Sequence, residues 1–138
     1  MTLQDLKNLR ALKFEIREQQ NRLEHLERIV LSPTSSRITG MPRGSPDPTD
    51  SRIQRMICDI SDLRVLIIEQ QARRAREQAE AERWIAELPD SFTRNVIRWR
   101  FVDGLNWKAV YRKARQIKDN TSVESVKKLC YRLFDEKN

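Results

Sequence analysis

The side chains that could do chemistry gather toward the end of the chain. Arg112, Lys113, Lys118, Lys127 and Arg132 supply fixed positive charge, and Ser122, Val123, Glu124 and Lys128 open a short helical pattern among them. Guanidinium and ammonium groups at this density grip the phosphates of a polyanion, because each neutralised phosphate releases condensed counterions. Hydroxyl, carboxylate and ammonium groups on the outward first turns of a helix are the groups that reach base edges in a DNA major groove. Bond-breaking chemistry is poorly supplied by comparison. The one histidine, His25, sits among charged residues of a long helical pattern, and no phosphate loop, nucleophile elbow or metal-ligand cluster occurs. Cys58 and Cys130 stand at apolar positions without metal-ligand spacing, as small core hydrophobes in a reducing compartment would. The expectation is a binding protein and not an enzyme, with no cofactor and no metal.

Charge points the same way. The net charge is +7 over 138 residues. From residue 84 onward there are 12 Lys/Arg against 7 Asp/Glu, whereas residues 1–83 hold 15 against 13. The shorter segment carries most of the excess, as a polyanion-binding module should. Arg73, Arg74 and Arg76 form a further basic run that could grip phosphate but, on an exposed helix, is more often a solvated surface.

Three short helices must position these side chains. Asp90 or Ser91 opens the first, with Val96, Ile97, Phe101 and Val102 as its apolar face, and Asp103-Gly104 ends it. Asn106 caps the second, which turns Trp107, Val110 and Ala114 inward. After the polar turn 116–120, Thr121-Ser-Val-Glu124 has the form of a capping box. The helix it opens offers Val126, Leu129, Leu133 and Cys130 to the core, leaving Lys127, Lys128, Tyr131 and Arg132 on or beside the other face. This is the layout of a helix-turn-helix domain over 84–138.

The first 83 residues read differently. Leu9, Leu12, Ile16, Leu23, Leu26 and Val30 repeat in steps of three and four, with Gln19 at the one missing seam position, and Leu6, Phe14 and Ile29 widen the stripe. Residues 32–50 are rich in Pro, Gly and Ser and cannot continue a helix, so they are a linker, with Ile38 and Met41 available to fold back. A second seam follows from a cap at Asp50 or Ser51: Ile53, Met56, Ile60, Leu63 and Ile67. Helix formers then run to Leu88, where Pro89 stops them. Two matched seams imply an antiparallel helical hairpin over 1–83, coiled-coil-like, whose remaining apolar surface suits a homodimer or docking on the C-terminal domain. The fold class is therefore all-α, a long two-helix hairpin followed by a helix-turn-helix domain.

The stretch Leu88-Pro-Asp, then Val96-Ile-Arg-Trp-Arg-Phe-Val-Asp-Gly-Leu-Asn-Trp-Lys-Ala-Val110, resembles region 4 of bacterial sigma factors and their small relatives. The element Asn120-Thr-Ser-Val-Glu-Ser-Val-Lys-Lys128 is similar to the start of the recognition helix in sigma-region-4-like phage regulators. With the helix, Thr39-Gly-Met-Pro-Arg-Gly44 and second helix upstream, the chain resembles the RinA/ArpU-type late-gene activators. On that resemblance Val123, Glu124 and Lys128 match the promoter-reading positions. Val123 would meet a thymine methyl, Glu124 would accept from a cytosine amino group, and Lys128 would donate to guanine. The interval between Val110 and Val126 is longer than in sigma factors, and nothing resembles a promoter-melting helix.

The resemblance implies a phage or prophage sequence-specific transcription regulator that binds double-stranded DNA, with RNA polymerase and a second copy as candidate protein partners. The alternative is a DNA-recognising adaptor of phage DNA packaging, small-terminase-like, and a purely protein-binding module is the third reading. No apolar run reaches the roughly 18 residues of a membrane span, and no signal-peptide pattern opens the chain, so the expected location is cytoplasmic with no membrane contact.

Overall fold

The computed structural model describes residues 1–32 and 48–135, with only the backbone of residues 48–50. Most of the linker, including Ile38, Met41 and Thr39–Gly44, lies outside the described residues. Every regular element among the described residues is helical: α1 Leu3–Val30, α2 Pro48–Ala86, α3 Ser91–Ile97, α4 Trp107–Arg115 and α5 Val123–Asp135. A π-helical turn, Arg98–Val102, continues α3. α2 begins at Pro48, ahead of the caps expected at Asp50 or Ser51; proline is tolerated there because a first-turn amide has no helical acceptor. No described helix is long and apolar enough to cross a membrane.

The contacts divide the chain into two compact units. The first joins Met1–Phe14 to everything from Arg73 onward. Residues 1–14 and 73–83, read from periodicity as part of the hairpin segment, thus pack with the helices of the 84–138 segment. Leu6, Leu9, Ala81, Ile85, Leu88, Ile97, Phe101, Val102 and Cys130 form one buried cluster. Phe92, Val96, Val110, Ala114 and Val126 form a second, and Trp107 packs against both. α3, α4 and α5 each touch the other two.

The caps are largely the ones the residue types dictate. Asp90 accepts from the amides of Phe92 and Thr93, and Asn106 accepts from the Ala109 amide at 2.8 Å. Gly104 takes φ +77°, the left-handed conformation that lets the chain leave the π turn. The carbonyls exposed there are covered by cations: Lys13 donates to the Asp103 oxygen and Arg74 to the Val102 oxygen. Arg98 clasps both carboxylate oxygens of Glu82, tying the π turn to the end of α2.

One cap differs. The reciprocal capping box is at Thr2 and Asp5, where the Asp5 carboxylate accepts from the Thr2 amide and the Thr2 hydroxyl accepts from the Asp5 amide. At α5 the cap is Ser122, whose hydroxyl accepts from the Ser125 amide at 3.1 Å, while Thr121 turns back to the Lys118 carbonyl. Thr121 and Ser122 carry the same functional group; the helix starts one residue later than expected, so Glu124 falls at its second position and cannot close the box.

The second unit spans Glu15–Ala72. Gln70 donates to Glu15, and Arg64 pairs with Glu27 at 2.8 Å. Higher numbers on one helix thus meet lower numbers on the other, the sense of an antiparallel pair. Ile16, Ile60 and Ile67 are buried in it, and Leu23, Leu26, Ile53, Met56 and Leu63 are half-buried. Two expectations are corrected here and in the first unit. Cys58 is exposed, on the side of α2 away from the seam, and Phe14 and Ile29 are exposed where they were expected to widen the seam of α1.

Candidate nucleic-acid interface

The proposed base-reading residues occupy the first two turns of α5. Glu124 and Lys128 are exposed and one turn apart, so they share a face, with Arg132 a further turn on. Ser122 is exposed but its hydroxyl is engaged twice, by the Ser125 amide and at 2.7 Å by the Ser125 hydroxyl. Val123 is half-buried, which leaves only part of its methyl surface for a partner. Because Ser122 does the capping, the Glu124 carboxylate makes no hydrogen bond or ion pair among the described residues. It still gains from the positive end of the helix. The opposite side of α5 is anchored by Val126 and Cys130, both buried, with Leu129 and Leu133 half-buried.

The basic residues fall into two groups. Arg112, Lys113 and Arg115 crowd the last turn of α4, with Lys118 in the turn beyond; all four are exposed. That placement has a local reason, since cations offset the negative end of the helix. Lys113 lies 5.7 Å from the Trp99 ring and Lys118 4.5 Å from the Phe92 ring. Exposed cation–π contacts of this kind are worth about 0.5–1 kcal/mol, little enough for a phosphate to compete with. Lys127 and Arg132 belong to α5, the first half-buried and the second exposed. The α4–α5 connection, residues 116–122, is longer than the three or four residues of a tight helix-turn-helix.

The seam residues of both long helices, which a dimer seam would need, are engaged within the chain. Leu9 and Leu12 are buried in the first unit, and the others are buried or half-buried in the second. The apolar side chains left outward on α2 are Ile57, Val65, Leu66 and Ile68. Ile57, Val65 and Ile68 share one side of the helix by their spacing.

The structure also assembles a cationic cleft that no local sequence signal marks. Lys7, Arg10 and Ala11 from α1, Arg100 and Phe101 from the π turn, Trp107 from α4 and Tyr131 from α5 line a space of about 250 Å³. Arg100 stacks 4.5 Å over the Trp107 ring and donates to the Leu105 carbonyl at 3.1 Å. Burial, and then the charge of Arg10, hold its guanidinium below the ordinary arginine range. These residues are far apart in sequence, so only the packing of α1 on the C-terminal helices reveals them.

The buried Cys130 thiol is pushed up to about 12, chiefly by desolvation. No cluster of three or more His, Cys, Asp or Glu suited to a metal occurs among the described residues. Compared with known proteins, the chain matches no family, no curated protein and no solved structure.

Proposed function

We propose that the chain is a non-enzymatic DNA-binding protein, a phage-type transcription regulator that reads duplex sequence with a sigma-region-4-like helix-turn-helix. In this reading α4 and α5 are the two helices of the reader, and Glu15–Ala72 is its coiled-coil-like hairpin. The observation that carries it is the outward stripe Glu124–Lys128–Arg132 on a helix whose reverse side is locked into the core. α5 would enter the major groove by its first turns. Lys128 would donate to guanine, Glu124 would accept from cytosine, and the exposed part of Val123 would touch a thymine methyl. Arg112, Lys113, Lys118, Lys127 and Arg132 would hold flanking phosphates and set the register. A protein partner, RNA polymerase or a second copy, would meet the outward apolar side of α2 at Ile57, Val65 and Ile68, because the inner seam is occupied.

Binding of a labelled duplex across a salt series tests the electrostatic half of the proposal. Five phosphate contacts give a log–log slope of about −4 to −5, so affinity falls by roughly 500-fold between about 50 and 200 mM salt. A flat salt response, or no binding at the lowest salt, would refute it.

A further inference from the structure

We propose that the cleft between Lys7, Arg10, Arg100, Trp107 and Tyr131 is a binding site for a phosphate group. This goes beyond the DNA reading, since it assigns a ligand to residues outside the proposed base- and phosphate-contacting set and stands whether or not α5 reads duplex.

Three cationic side chains converge on this space, and none of its lining residues is a carboxylate. Elsewhere in the chain partly covered arginines find acceptors: Arg98 takes Glu82 and Arg94 takes the Leu88 carbonyl. Here the Nε atoms of both Arg10 and Arg100 are buried without an acceptor, as is that of Arg74 outside the cleft. A buried guanidinium N–H without a partner is costly, and two such groups belong to residues that line this one cleft, whose remaining guanidinium N–H groups are suited to an anion. Arg10 is held by its 4.8 Å contact with the Phe14 ring and Arg100 by Trp107 and the Leu105 carbonyl, so both are ordered before any ligand arrives.

The chemistry favours phosphate over a single carboxylate. A phosphate offers oxygens in several directions to two planar guanidiniums and the flexible Lys7 ammonium. At about 250 Å³ the space exceeds the roughly 30 Å³ share of one water several-fold, leaving room for the atoms attached to the phosphate. The rings of Trp107 and Tyr131, tilted at 55° with centroids 6.3 Å apart, give those atoms an aromatic wall. Tyr131 continues the Glu124–Lys128 face of α5, so the phosphate could come from a DNA backbone or from a free phosphorylated molecule.

The test is an NMR titration of the full chain with inorganic phosphate, chloride being exchanged to hold ionic strength constant. The expected result is saturable shifts at the Arg10 and Arg100 Nε–H and Trp107 indole N–H signals. Lys7→Gln with Arg10→Gln should weaken that binding by at least about tenfold; Lys7→Gln alone, at an exposed position, serves if the pair perturbs folding. Shifts that never saturate, that spread evenly over surface cations, or that persist unchanged in these variants overturn the proposal. Repeating the titration on the duplex complex assigns the source. Loss of phosphate binding there, with weaker duplex binding by the double variant, supports a backbone phosphate. Retained phosphate binding supports a free ligand.

Discussion

Replacing Leu6 by alanine tests whether the start of the chain belongs to the core of the C-terminal helices. Leu6 is fully buried among Ala81, Ile85, Ile97, Phe101 and Cys130, although more than 90 residues separate it from each of the last three. Removing its three outer carbons forfeits about 0.8 kcal/mol each in transfer, and the cavity left behind adds to that, for a loss of about 3 kcal/mol within the usual range of 2–5. Cys130 is the natural reporter. It is buried in the same cluster and its pKa is pushed up to about 12, so it reacts only when the cluster opens. A loss of about 3 kcal/mol raises the opening population, and with it the alkylation rate, by roughly 100-fold. Leu23→Ala, a half-buried position in the second unit, should change that rate far less. If Leu6→Ala folds and leaves Cys130 as protected as before, the packing of α1 against the C-terminal helices is wrong.

Three further outcomes follow from the same geometry. In the unaltered protein the exposed Cys58 should be alkylated under native conditions while Cys130 is spared, as peptide mapping would show; equal labelling would contradict both placements. The Thr93 hydroxyl first, with the Thr93 and Phe92 amides, holds the Asp90 carboxyl below its ordinary range. Its contribution to stability is therefore present above the unfolded value of about 3.9 and lost as pH falls through the lower folded value. Asp90→Ala should cost about 1 kcal/mol at neutral pH and flatten that acid limb in unfolding experiments, and an unchanged limb would discount the cap. Under the proposed function, Lys128→Ala should cost about 1–3 kcal/mol on the preferred duplex and relax specificity. Lys113→Ala should weaken all duplexes alike, and equal losses on preferred and random duplexes for Lys128→Ala would remove Lys128 as a base reader.

Much of the fold was legible because local chemistry dictates it. Three-four spacing marked both long helices, and Asp90, Asn106 and Gly104 marked helix ends through the particular hydrogen bonds or dihedral each permits. Periodicity says which side of a helix is apolar but not what will cover it. Leu6, Leu9 and Ala81 therefore looked like hairpin residues, although they bury against α3 and α5. Cys58 and Phe14 lie two residues from their seam neighbours, on the far side of their helices, and only the apolar character of the side chains suggested burial. Thr121 and Ser122 offered interchangeable hydroxyls, so their local chemistry could not say which would cap α5. The π turn has no comparable local signature, and the meeting of Arg10 with Arg100 is wholly a product of tertiary packing. The basic face of α4 and α5 was legible as charge, whereas its division into ring-bound lysines and outward α5 residues was not.

Selection of bound sequences from random duplex DNA by the full chain, at about physiological salt, tests the central claim most directly, since specific and non-specific affinities separate there by orders of magnitude. The account predicts one enriched motif whose information drops when Glu124 or Lys128 is replaced by alanine. Salt-sensitive binding to every sequence without enrichment would contradict it.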